Sequence, residues 1–231
     1  MQKAGLQTEE KKMGLKGNLI LNHSRLHNFC GVPVTGPKEC LTALSHVKLP
    51  KVLEKIFSDS VKGIFFKTKN THKNYNVDAT YDDGYIYIKE DLVDPDLILQ
   101  VLIHEVSHLL QDTFPERFLE NGDIINEFSL KRIELMRRLS KRGYNLDRKA
   151  FLRLTYDPMF DTFLNNEIKE EDLKDCIKGL FPSPYSALSL DEYIAIIFEE
   201  YFENPEVARE YSKEICDNIK KVMADYYDSK F

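Results

Sequence analysis

The chain has 231 residues, 42% of them hydrophobic and 30% charged, enough to bury the core of one large domain or of a domain with a subdomain. Its net charge of -6 argues against general affinity for nucleic acid. Cys30, Cys40, Cys176 and Cys216 contain no CxxC pair and read as reduced thiols. No apolar run approaches bilayer length, and Met1 to Gly17 has no signal-peptide core, so a cytoplasmic site or export without a signal peptide is expected.

Residues 1–18, with Lys3, Glu9, Glu10, Lys11 and Lys12 and few apolar groups, read as a flexible tail ahead of a single domain over 19–231. Pro50 followed by Val52, Leu53, Ile56 and Phe57 predicts a short helix; Val61 to Lys67 and Gly84 to Lys89 predict strands. The second strand, Tyr85-Ile86-Tyr87-Ile88, has no polar face, so at least one side should be covered. It leads through Glu90 to Asp94 into the next helix. Such a strand is either an ordinary sheet member or the border of a cleft where substrate backbone can pair.

That helix is well marked. Asp94 fits the N-cap, Pro95 fits the first helical position, and Leu97 to Leu110 is apolar nearly all round, which predicts burial. Within it lies His104-Glu105-Val106-Ser107-His108, an HExxH box. Residues four apart share one helix face, so the two imidazoles can close on a single ion while Glu105 projects beside it, placed to take a proton from a metal-bound water. Burying two histidines and a glutamate costs free energy unless something pairs with them, and a metal does so. The competing reading is a chance match, against which the apolar helical context counts. A catalytic zinc normally takes three protein ligands, so one is still missing.

Ile124 to Arg142 predicts an amphipathic helix with Phe128, Leu130, Ile133, Leu135, Met136 and Leu139 buried and Gly143 as its stop. Glu127, in an Asn126-Glu127 pair, is one candidate third ligand: its distance past the box is similar to that of the glutamate helix of thermolysin-like peptidases. However, the further acid of that pattern is Lys131 here. Glu127 before Lys131 and Glu134 before Arg138 also have the spacing of solvated ion pairs. Lys131, Arg132, Arg137, Arg138, Lys141, Arg142, Arg148 and Lys149 form a basic cluster. It either contacts nucleic acid or an acidic protein, or is a solvated face balanced by nearby acids. An acidic helix is predicted near Glu167 to Lys178, stopping at Gly179, and a final helix over Pro205 to Tyr226 with Val207, Tyr211, Ile215, Ile219, Val222 and Tyr226 along one packing stripe.

The other candidate ligand is Glu192. The stretch from Ser183 through Tyr185, Glu192, Tyr193, Ile194 and Ala195 to Asn204-Pro205 resembles the third-ligand region of the anthrax lethal factor-like and Pro-Pro endopeptidase group of zincins. The resemblance implies an α+β fold, mostly helical with a small mixed or antiparallel sheet, an active-site helix carrying the box, a C-terminal glutamate helix, and here a helical insertion at about 112–180. It further implies one Zn2+ held by His104, His108 and Glu192, Glu105 as general base, Tyr185 as hydrogen-bond donor to the oxyanion, and a protein or peptide substrate. The group's second glutamate is Ile196 here, so acidic support is absent or comes from another residue such as Glu199. Without the resemblance, Glu192 is an acid on an amphipathic helix that also holds Asp191, Glu199, Glu200 and Glu203, and Tyr185 is a half-buried loop anchor. The alternative class is a binding or structural module with a non-catalytic zinc site, which Ile196 favours.

Overall fold

The computed structural model describes residues 27–68 and 77–228, so the tail expected at 1–18 lies outside the described residues. The described chain opens in a hairpin, β1 (His27–Phe29) and β2 (Val32–Thr35). Its turn residues Cys30 and Gly31 have φ of 51° and 87°, the positive values that match a two-residue loop to the twist of its strands. Helices α1 (Lys38–Leu44) and α2 (Lys51–Ser60), strand β3 (Gly63–Lys67) and a second hairpin, β4 (Ala79–Asp82) and β5 (Tyr85–Lys89), follow. Asp83 and Gly84, at φ 44° and 86°, make the second turn in the same way.

The five strands form one mixed sheet in the order β1-β2-β3-β5-β4. β2, β3 and β5 run parallel, and β1 and β4 run antiparallel to their neighbours. The pairs Ile64 with Ile86 and Phe66 with Ile88 fill the core side, all 6% exposed or less. Phe65 and Tyr87 stack on the other side at 5.6 Å.

The rest is helical: α3 (Pro95–Thr113), α4 (Gly122–Lys141), α5 (Arg148–Phe151), α6 (Pro158–Thr162) running into a π-helical turn at Phe163–Glu167, α7 (Glu170–Ile177), a 3-10 turn at Tyr185–Ala187, then α8 (Leu190–Glu203), α9 (Pro205–Tyr211) and α10 (Lys213–Asp228). The chain is therefore α+β with helix predominating. α3 begins as expected, with the Asp94 carboxylate accepting from the Asp96 N–H at 2.9 Å and Pro95 at the first position. It packs against α1, α2, β4 and, most extensively, α8.

Two expectations are corrected. The final helix is two, because Ser212 is extended (φ -150°, ψ 106°) between α9 and α10. Its hydroxyl accepts from the Ile215 N–H at 3.2 Å and so caps α10, a local bond that competes with helix continuation. On α4 the buried positions are Ile124, Phe128, Arg132, Leu135 and Leu139. That line leaves Leu130 57% and Ile133 40% exposed and takes Arg132, expected among the polar positions, into the core.

Candidate metal centre

α3 and α8 run antiparallel, tied at one end by Gln111, whose amide donates to the Asp191 carbonyl at 3.2 Å, and at the other by Gln100, which donates to Glu199 at 3.0 Å. Between these ties His104 and His108 face Glu192. The Nε2 atoms of the two histidines lie 3.1 Å apart, and the Glu192 Oε2 lies 3.1 Å from His104 and 3.8 Å from His108. Ligands about 2.0–2.2 Å from a tetrahedral ion stand roughly 3.3–3.6 Å from one another, so the group fits one small ion without moving the backbone. His104, His108 and Glu192 together could hold a metal. Their side chains keep 14 to 20% exposure, so the site is open on one side.

That side is a cavity of about 710 Å³, walled by Ala79 and Tyr81 of β4, by α3, by Tyr156 and Asp161 of the α5–α6 region, and by Tyr185 and Asp191. The strand at the cleft is thus β4, an edge strand among the described residues, whereas Tyr85–Ile88 lies between β3 and β4. Tyr85–Ile88 leads into α3 as the sequence indicates, but its hairpin partner β4 takes the place at the cleft.

Glu105 is 4% exposed and accepts a backbone N–H bond from Tyr81. Burial pushes its carboxyl up to about 7, with the His104 charge opposing. For His104, burial works against the cation, but hydrogen bonds to Glu192 and Glu199 outweigh it and hold the imidazolium well above its ordinary range. Burial and the neighbouring His104 charge push His108 down. Burial would raise Glu192, yet its bond to His104 leaves it below the usual carboxylate range.

Glu199 occupies the supporting position. Two turns after Glu192 on α8, it takes the Nδ1 side of His104, leaving Nε2 directed at the cavity. Tyr185 joins the group from its 3-10 turn: its ring centre lies 6.2 Å from that of His104 and its hydroxyl is bonded to Glu192. Burial, then the Glu192 charge, raises that phenol far above its ordinary value. Glu127 is elsewhere. Its carboxylate accepts from Tyr193 at 2.5 Å and Ser212 at 3.2 Å and pairs with Lys131 at 3.3 Å, so it ties α4 to Tyr193 of α8 and to Ser212.

The basic cluster carries acids beside it: Arg137 and Arg138 meet Glu134, and Arg142 meets Asp172 and Asp175. Sequence reasoning missed the cavity walls at Asp112, Tyr156, Asp161 and Asn165; of these only Asp112, one turn past His108, carried a positional signal. Among the described residues no helix is long and apolar enough to cross a membrane. No family model, curated protein or solved structure matches this chain.

Proposed function

We propose that this chain is a zinc-dependent peptidase. The observation that carries the reading is the convergence of His104 and His108 with Glu192, from helices more than eighty positions apart, at the wall of a cavity that also holds Glu105. Two imidazoles, one carboxylate and an open side are the donor set of a catalytic zinc rather than of a closed structural one. When bound there, zinc supplies a Lewis acid that lowers the pKa of a water and polarises the scissile carbonyl.

The chain's own groups account for the remaining steps. Glu105, held by the Tyr81 N–H at the cavity wall, takes the proton of the attacking water and passes it to the leaving amine. The Tyr185 hydroxyl, already at Glu192, turns to donate to the oxyanion. Glu199 keeps the Nδ1–H of His104 occupied so that Nε2 stays the ligand atom. β4, an edge strand among the described residues, gives an extended peptide backbone a strand to pair with.

Metal content and hydrolysis of a mixed peptide library test this on wild type and Glu105→Gln. The expected result is one zinc per chain in both, with cleavage lost about a thousandfold or more in the variant. Equal metal and equal background cleavage would sink the peptidase reading and leave a binding module with a structural metal.

A further inference from the structure

Arg132 lies in the middle of α4, outside the metal centre, with 1% of its surface exposed. No carboxylate among the described residues pairs with it. Asp157, the acid whose field it feels, is bonded to Arg153. Its partners are backbone carbonyls: Nη1 donates to Ala187 at 2.5 Å and Leu188 at 3.0 Å, and Nη2 donates to Ala150 at 2.6 Å. The guanidinium carbon stands 4.0 Å from the centre of the Phe160 ring.

A lone buried cation is a poor way to stabilise a core, since a well-packed apolar side chain in its place is often neutral or better. What its partners share is position. Ala187 and Leu188 lie inside the step from Tyr185 to Glu192, in the turn that precedes α8. Ala150 and Phe160 bracket Tyr156, and Asp161 directly follows Phe160; Tyr156 and Asp161 both line the cavity. A backbone bond from Leu190 N–H to the Leu154 carbonyl, 2.7 Å, joins the same two segments. A planar fork with fixed donor directions can hold both at once, which a single ammonium cannot.

We propose that Arg132 is a positioning residue for the metal centre, fixing the turn that carries Tyr185 and the start of α8 against the wall formed by the α5–α6 segment. The effect on turnover rests on the peptidase reading; the effect on the geometry of the turn does not.

The test compares Arg132→Met with Leu139→Ala, which opens a fully buried position of the same helix outside the cavity lining and lowers stability by a cavity alone. At equal loss of stability, amides of 185–190 should exchange roughly tenfold faster in Arg132→Met than in Leu139→Ala. On the zinc-loaded protein kcat should fall roughly 10- to 100-fold with KM within about threefold. Tyr185→Phe should lower kcat by itself and remove most of the further effect of Arg132→Met in the double variant. If Arg132→Met does not fold, Arg132→Lys, which keeps the charge but not the fork, takes its place with the same expectations. Equal exchange at 185–190 in the two destabilised proteins overturns the proposal, as do losses of kcat that simply multiply. If wild type cleaves nothing beyond Glu105→Gln, the peptidase reading falls and the exchange comparison alone decides the role of Arg132.

Discussion

Removal of the Glu199 carboxylate should weaken metal binding although Glu199 lies outside the His104, His108 and Glu192 group. In the structure it accepts the Nδ1–H of His104, with the two side chains 14% and 11% exposed, and is itself held by Gln100 at 3.0 Å. A charge-assisted bond in such a setting is worth about 1.5–3 kcal/mol, and tenfold in affinity is about 1.4 kcal/mol. Glu199→Ala should therefore weaken zinc by roughly 10- to 100-fold, in line with losses on removing outer partners of ligating histidines. Glu199→Gln keeps an acceptor and should lose about 3- to 10-fold. The proton works in the opposite direction. Without Glu199 the metal-free His104 falls back towards its ordinary range and competes less with the metal near neutrality, so the loss should grow as pH rises from about 7 to 9. Competition with a chelator of known affinity measures this, with Glu203→Ala as the control acid on the same helix. An affinity for Glu199→Ala within about threefold of wild type at both pH values, or an equal loss in Glu203→Ala, would refute the reasoning.

Glu192→Ala should abolish stoichiometric zinc, whereas Glu127→Ala should keep it and lower thermal stability by roughly 4–10 °C, about 2–3 kcal/mol for the lost bonds to Tyr193, Ser212 and Lys131; metal analysis and calorimetry decide, and zinc lost from Glu127→Ala instead would reverse the assignment. Because the metal-free His104 is held protonated above its ordinary range and His108 is not, zinc uptake at pH 7 should release about one proton or more and affinity should fall as pH is lowered. Calorimetry in buffers of different ionisation enthalpy reads the release, and none at pH 7 contradicts the assignment. The cavity wall carries Asp112, Asp161 and Asp191 and, among its lining residues, no Lys or Arg. Binding of a lysine-containing peptide to Glu105→Gln should consequently weaken between about 0.05 and 0.5 M salt, whereas a neutral peptide should hold its affinity; indifference of both to salt removes the electrostatic argument.

What was legible in the sequence is what local chemistry encodes. Asp94, Pro95 and the apolar run announced α3 because a cap, a proline at the first position and continuous burial are properties of one segment. The box announced His104 and His108 because four residues make one helical turn. Glu127 and Glu192 looked alike until the fold set one against Tyr193 and Ser212 and the other against the histidines. β4 was hidden because four residues with only Ala79 buried carry almost no pattern, although Asp83-Gly84 is the turn signal that could have announced it.

Arg132 and Glu199 mark the deeper limit. An arginine among seven other basic residues, and a glutamate among five acids on one helix, are chemically indistinguishable from their neighbours as letters. The difference lies in what faces them: three carbonyls and an aromatic ring for Arg132, one imidazole nitrogen and an amide for Glu199. Ile196, the position where a second acid was expected, is one helical turn after Glu192, and Glu199 is one turn further along the same face. Support for His104 therefore follows from where α8 crosses α3, a long-range property, and the same substitution at Glu200 or Glu203 should leave the metal centre undisturbed.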